Sequence, residues 1–144
     1  MALGNNTHNG DLNLSSVSLG SIHGVLKHKR FKGNLDLRGA AITELPDGLV
    51  VTGDLNLSRT HITKLPRRLK VGGSLIAEEC TALTELSGKT SIRGALDLRG
   101  CTSLSKLPEG LRVGGSIYLS GTAIEEFPKK IRIGGYLYII ETET

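Results

Sequence analysis

There is no tryptophan in this chain, and it has only two phenylalanines and three tyrosines. A core of large aromatic plates is therefore excluded, and the buried volume must come from Leu, Ile and Val. Two cysteines cannot make a disulfide framework. No apolar run approaches the ~18 residues of a membrane-spanning helix. The opening "MALGNNTHNG" has neither the charged n-region nor the apolar h-region of a cleaved secretory signal. The expected location is the cytoplasm, or outside the cell by a route that reads no cleaved signal. Charge of one sign is also modest. The formal net charge of +4 favours solubility and mild attraction to polyanions, without the excess of a dedicated nucleic-acid binder. A length of 144 residues suits one domain.

Glycine is abundant, nineteen residues in all, and it recurs at a fixed interval. "GNLDLRGAAITELPDGLVVT" starts at Gly33 and "GDLNLSRTHITKLPRRLKVG" at Gly53. Further units start at Gly73, Gly94, Gly115 and Gly135, with spacings of 20, 20, 21, 21 and 20 residues. An earlier unit at Gly10 is longer, at 23 residues, and less regular; its Leu19, Ile22 and Phe31 still match apolar positions. All four prolines, Pro46, Pro66, Pro108 and Pro128, hold one repeat position. The chain divides into an irregular N-terminal repeat or cap over 1–32 and a continuous array over 33–144.

The tripeptide Gly88-Lys89-Thr90 ends the phosphate loop of many nucleotide hydrolases, but the period explains it otherwise. Leu86 matches the Leu of Leu-Pro, Ser87 replaces proline, and Ile92 matches Val71 and Val113. The phosphate loop needs glycine five residues before Gly88, where Leu83 stands, and a helix after it. The stretch is the degenerate back half of one repeat.

Within a unit, "LDLRG" and "LNLSR" alternate apolar and polar residues as half-buried strands do. The Leu-Pro step cannot sit in a central strand, because proline lacks an N–H. A Leu-x-Val segment then returns inward before the next glycine. Each unit is one coil, and stacked coils bury a shared core that one coil cannot bury alone. Seven units, ~4.8 Å apart, give a curved rod roughly 30 Å long.

The pattern L-x-L-x-x-[N/C/T]-x-[L/I]-x-x-L-P, carried best by "LDLRGAAITELPDGL" and "LDLRGCTSLSKLPEGL", resembles the leucine-rich repeat. The short unit with Leu-Pro is similar to the subclass found in bacterial type III effectors and phage-type proteins. The match runs from about Gly33 to Ile140. The customary asparagine is replaced by Ala40, Thr60, Cys80, Cys101 and Thr122. The resemblance implies a right-handed, mainly β solenoid with little helix and one parallel strand per repeat, over 34–38, 54–58, 74–78, 95–99, 116–120 and 136–140. It implies a binding scaffold and no catalysis. It also implies that Cys80 and Cys101, in one column, are inward side chains bonded to the turn backbone. A disulfide between them is disfavoured by parallel Cβ vectors, although the coil spacing of ~5 Å is within reach.

Enzymatic chemistry finds no purchase. His8, His23, His28 and His61 fall at unrelated repeat positions. Asp36 and Asp97 share a column, but three coils or ~14 Å separate them. A glycosidase pair needs roughly 5–9.5 Å. No metal spacing and no cofactor motif is present, so no cofactor is expected.

Function must then lie on the surface. Residues between the buried leucines point outward and, by the resemblance, line a concave binding face. The central column is Asn13, Asp36, Asn56, Ile76, Asp97, Tyr118 and Tyr138. The neighbouring column brings Arg38, Glu78 and Arg99. A protein partner is expected on this face, at Asp36, Arg38, Ile76, Asp97, Arg99, Tyr118 and Tyr138, with the two tyrosines forming a step and Arg99 offering its fork to a carboxylate. The alternative is a basic edge of Arg67, Arg68, Lys70, Arg112, Lys129, Lys130 and Arg132 that binds nucleic acid or acidic lipid. No aromatic residues interleave these cations, as single-strand binders require. Leu55, Leu57, Ile62, Leu65, Leu96, Leu98 and Ile117 are expected in the core. An unpaired final strand over 135–140 invites self-association, unless the chain continues in a longer protein.

Overall fold

The computed structural model describes residues 7–18, 25 and 27–139. Two parallel seven-stranded sheets run through it. The first contains, in order, Thr7–Asn9, Arg30–Lys32, Val50–Val51, Lys70–Val71, Ser91–Ile92, Arg112–Val113 and Arg132–Ile133. The second contains Leu12–Asn13, Leu35–Asp36, Leu55–Asn56, Leu75–Ile76, Leu96–Asp97, Ile117–Tyr118 and Leu137–Tyr138. Each strand pairs in register with its equivalent one coil away, as Leu55 with Leu75 and Val51 with Val71. The chain is thus a parallel β-solenoid that advances ~4.8 Å per coil. No residue from 27 to 139 is helical.

The strands expected from sequence are those of the second sheet; Leu19, Ile22 and residue 140 lie outside the described residues. A coil carries a further strand, because the Leu-x-Val return also alternates. Leu49 and Val51 are fully buried while Val50 between them is not. A glycine step separates the two alternating segments and turns the chain, so each joins its own sheet.

That glycine step has a steric cause. A Cβ on Gly33 would stand 2.7 Å from Asp11 Oδ1 and 2.8 Å from the Gly10 carbonyl oxygen. At Gly53, Gly73, Gly94 and Gly135 it would strike the side-chain oxygen of Asn34, Asp54, Ser74 and Ser116 respectively, and the backbone of the preceding coil. Those oxygens are engaged. Asp11 Oδ1 accepts from the Asn34 N–H at 2.8 Å, Asn34 Oδ1 from Asp54 at 2.7 Å, and Asp54 Oδ1 from Ser74 at 2.8 Å. Ser74 Oγ accepts from Ala95 at 3.0 Å and Ser116 Oγ from Tyr136 at 2.9 Å. This polar ladder stitches each coil to the next and needs the bare glycine beside it. Ala95 has no side-chain acceptor and leaves one rung missing.

The core is one cluster running the length of the stack. Leu55, Leu57, Ile62, Leu96, Leu98 and Ile117 are fully buried and Leu65 is 3% exposed, as the repeat register predicts. Ala40, Thr60, Cys80 and Cys101 stack as a buried column. Thr60 Oγ1 donates to the Leu57 carbonyl at 2.8 Å, and Cys80 Sγ donates to the same oxygen at 3.0 Å. Cys101 Sγ donates to the Ala77 carbonyl at 2.9 Å. Both thiols are free, and the Cys80 neighbour together with burial pushes the Cys101 thiol well above its ordinary value. The six coils from Gly10 to Gly115 each turn a corner through a left-handed residue: Gly39, Gly100 and Gly121, but also Ser16, Arg59 and Glu79 at φ between 58 and 59°.

Candidate functional site

The outward side of the second sheet divides into residues with a structural task and residues without one. Asn13, Asp36, Asn56 and Asp97 each accept the backbone N–H two residues on, at 3.0 to 3.1 Å. Short polar side chains make such local turns readily. These four therefore shape the corner of their own coil. Ile76, Tyr118 and Tyr138, in the same column, cannot do so.

The expected site residues fall into two groups. At the N-terminal side, Asp36 and Arg38 satisfy one another, with Arg38 Nη2 2.8 Å from Asp36 Oδ2. Burial works to raise the Asp36 carboxyl, but the hydrogen bonds and charge of Arg38 outweigh it and hold the group below the usual carboxylate value. Further along, Ile76, Asp97, Tyr118 and Tyr138 are register neighbours in consecutive coils. Arg99 Nη2 lies 2.6 Å from Asp97 Oδ2 and 3.2 Å from Glu78 Oε2. The Arg99 fork is thus occupied by the chain's own carboxylates; a partner's carboxylate, which the sequence pattern assigned to it, would have to displace them. Its guanidinium carbon sits 5.5 Å from the Tyr118 ring centre, a cation–π distance. Tyr118 and Tyr138 stack at 4.9 Å with planes 6° apart, the step expected from the coil spacing. Tyr136 meets Tyr138 edge-on at 6.3 Å.

Electrostatics bind the same cluster together. The Asp97 carboxyl is raised by burial and lowered more by Arg99 and Glu78, ending below its ordinary value. Its hydrogen bond with Asp97, burial and the Asp97 charge push the Glu78 carboxyl up. Sequence reading placed Glu78 in the adjacent column without seeing it as Arg99's second carboxylate.

The basic residues lie on the other sheet and its approaches. Lys70, Arg112 and Arg132 are exposed on strands of the first sheet, and Arg112 pairs in register with Arg132. Arg67, Arg68, Lys129 and Lys130 are exposed in the turns that lead into it. Asp47 and Glu109 in those turns accept backbone N–H groups of the following coil, from Arg67 at 2.9 Å and from Lys130 at 3.0 Å.

Two histidines read as unrelated come together at the first coils. His8 and His28 have ring centres 6.2 Å apart, and His8 lies 6.0 Å from Phe31. His23 lies outside the described residues. Among the described residues, no group of three or more His, Cys, Asp or Glu stands together as a metal ligand set. Among them, too, no helix is long and apolar enough to cross a membrane. The chain matches no family model, no curated protein and no solved structure.

Proposed function

We propose that the protein is a non-enzymatic binding module of the leucine-rich-repeat type, similar to the short bacterial effector or phage-type repeats, and that it holds a protein partner on the outward side of the second sheet. The observation that carries this is the continuous stack of Arg99, Tyr118 and Tyr138, in a column that Asp97 joins to Ile76. In this column the asparagines and aspartates are consumed by corner turns, whereas Ile76 and the tyrosines serve no such turn. Tyrosines bury large area with few torsions, and stacked tyrosines flanked by an arginine are the residue types enriched in energetic hot spots. Asp36 and Arg38 form the polar flank of the same face. Among the described residues, the exposed large apolar side chains are Phe127, in the unit from Gly115, and Tyr136, Tyr138 and Ile139, in the unit from Gly135. They favour an apolar contact at this end, with a partner or with a second copy through 135–139.

The test begins with affinity capture, followed by titration calorimetry with the purified partner. Tyr118→Ala combined with Tyr138→Ala removes both anchors without touching the buried columns. Binding is expected to weaken about 30-fold or more, the scale of a 2 kcal/mol hot spot. An intact circular dichroism spectrum with unchanged affinity would remove the second sheet from consideration.

A further inference from the structure

The first sheet presents a surface of different chemistry. Its outward central column reads, coil by coil, Arg30, Val50, Lys70, Ser91, Arg112 and Arg132, aligned by the strand register. Two residues further along the chain, Lys32 and Arg93 add exposed cations. The strands and the residue following each contain no Asp or Glu between 30–32, 50–52, 70–72, 91–93, 112–114 and 132–134. The ion pairs among the described residues use only Arg38, Arg59 and Arg99. All six first-sheet cations are therefore without an acidic partner. Asp47 and Glu109, in the turns that lead into this sheet, accept backbone N–H groups. Like charges on one face repel, and nothing in the fold requires them here, since these side chains are exposed.

We infer that the first sheet is a docking track for the phosphate backbone of a nucleic-acid duplex, read without regard to base sequence. Shape and composition select this polyanion. The strands are two or three residues long, so the track is ~7–10 Å wide, while six coils carry it over ~24 Å. A narrow line of cations fits a linear array of phosphates. Arg93, Arg112 and Arg132 together line an open recess of about 580 Å³, where three cations converge on one place a phosphate could occupy. The aromatic rings on this sheet's strands are Phe31, fully buried, and His8, half-buried with its ring centre 6.0 Å from that of Phe31, so no exposed ring offers a platform for stacking unpaired bases. The large exposed apolar side chains that a bilayer surface would take up are not on this sheet's strands.

The experiment is fluorescence anisotropy of a short labelled duplex DNA of arbitrary sequence, titrated with the full chain. Four to six phosphate contacts give a slope of log affinity against log salt of about −4 to −5, so affinity should fall roughly 250- to 1,000-fold between about 50 and 200 mM salt. A duplex of unrelated sequence should bind equally well. Arg112→Glu with Arg132→Glu should weaken binding at least about tenfold and flatten the slope by about 2. Lys64→Glu with Lys106→Glu changes net charge equally from exposed sites outside the first sheet, and should cost much less. No binding at low salt, equal losses in the two charge-reversed variants, or binding confined to phosphatidylserine vesicles with none to duplex would overturn the proposal.

Discussion

Arg68 carries a left-handed backbone, φ 58°, at a corner where other coils place Gly48 and Gly110 at 78 and 81°. An L-residue in that region is strained by ~1 kcal/mol, and Arg68 has no ion pair to offset it. Arg68→Gly should therefore raise stability by ~0.5–1 kcal/mol, measured as a shift of the urea midpoint. Arg59 and Glu79 share the same strain at the opposite corner, but they lie in adjacent coils and bond at 3.0 Å, so glycine there removes a pair as well. A second single-residue effect concerns charge. The Glu78 carboxyl is raised by Asp97, so its ionised form is less stable in the folded chain than in the unfolded one. The stabilising share of such a group is present below the unfolded value and lost as pH rises through the folded one. Glu78→Gln should accordingly raise the melting temperature near about pH 7, with the gain fading below about pH 4. A gain that grows as pH falls would reverse the assignment. Neither effect was legible in the sequence. A left-handed arginine looks like any surface cation, and Glu78 meets Arg99 only through the register of two coils.

At the scale of the coil, the glycine beside each second-sheet strand and the polar residue after it form one device. Gly53→Ala places a methyl against both Asn34 Oδ1 and the Gly33 carbonyl, and should cost ~2 kcal/mol or more by unpairing or shifting the ladder. Gly53→Ala with Asn34→Ala should not recover the loss, because the backbone clash remains. Gly48→Ala, where nothing lies within 4 Å, should cost only the ~1 kcal/mol of its left-handed φ. The missing rung gives the converse prediction: Ala95→Ser offers an acceptor to the Ser116 N–H and should stabilise by ~0.5–1.5 kcal/mol in denaturant titration. The period, the proline column and the apolar columns were readable because burial demands one residue class at one spacing. The ladder was hidden because Asp, Asn and Ser serve it equally and resemble loop polarity. The first sheet was hidden because two or three residues are too few for alternation to stand out.

Across the whole molecule, stability is shared between neighbouring coils, so a cavity anywhere in the common core is felt by both flanking units. Leu57→Ala should cost ~2–5 kcal/mol in chemical denaturation. The fold class and its buried columns were legible from the period alone. The surface was legible only in part, because an outward position says nothing of whether its side chain is already engaged by the chain itself, as Asp36, Asp97 and Arg99 are. The ladder described above has one more property: every rung runs the same way, a later coil's N–H donating to an earlier coil's side chain. A coil consequently arrives with a donor for its predecessor and an acceptor for its successor, like a brick with a stud and a socket. Copying residues 53–72 in tandem should lengthen the molecule by ~4.8 Å without opening a joint. Copying half of that span would present studs to studs and leave the downstream bricks unseated. The length of such a protein is free to change only in whole bricks.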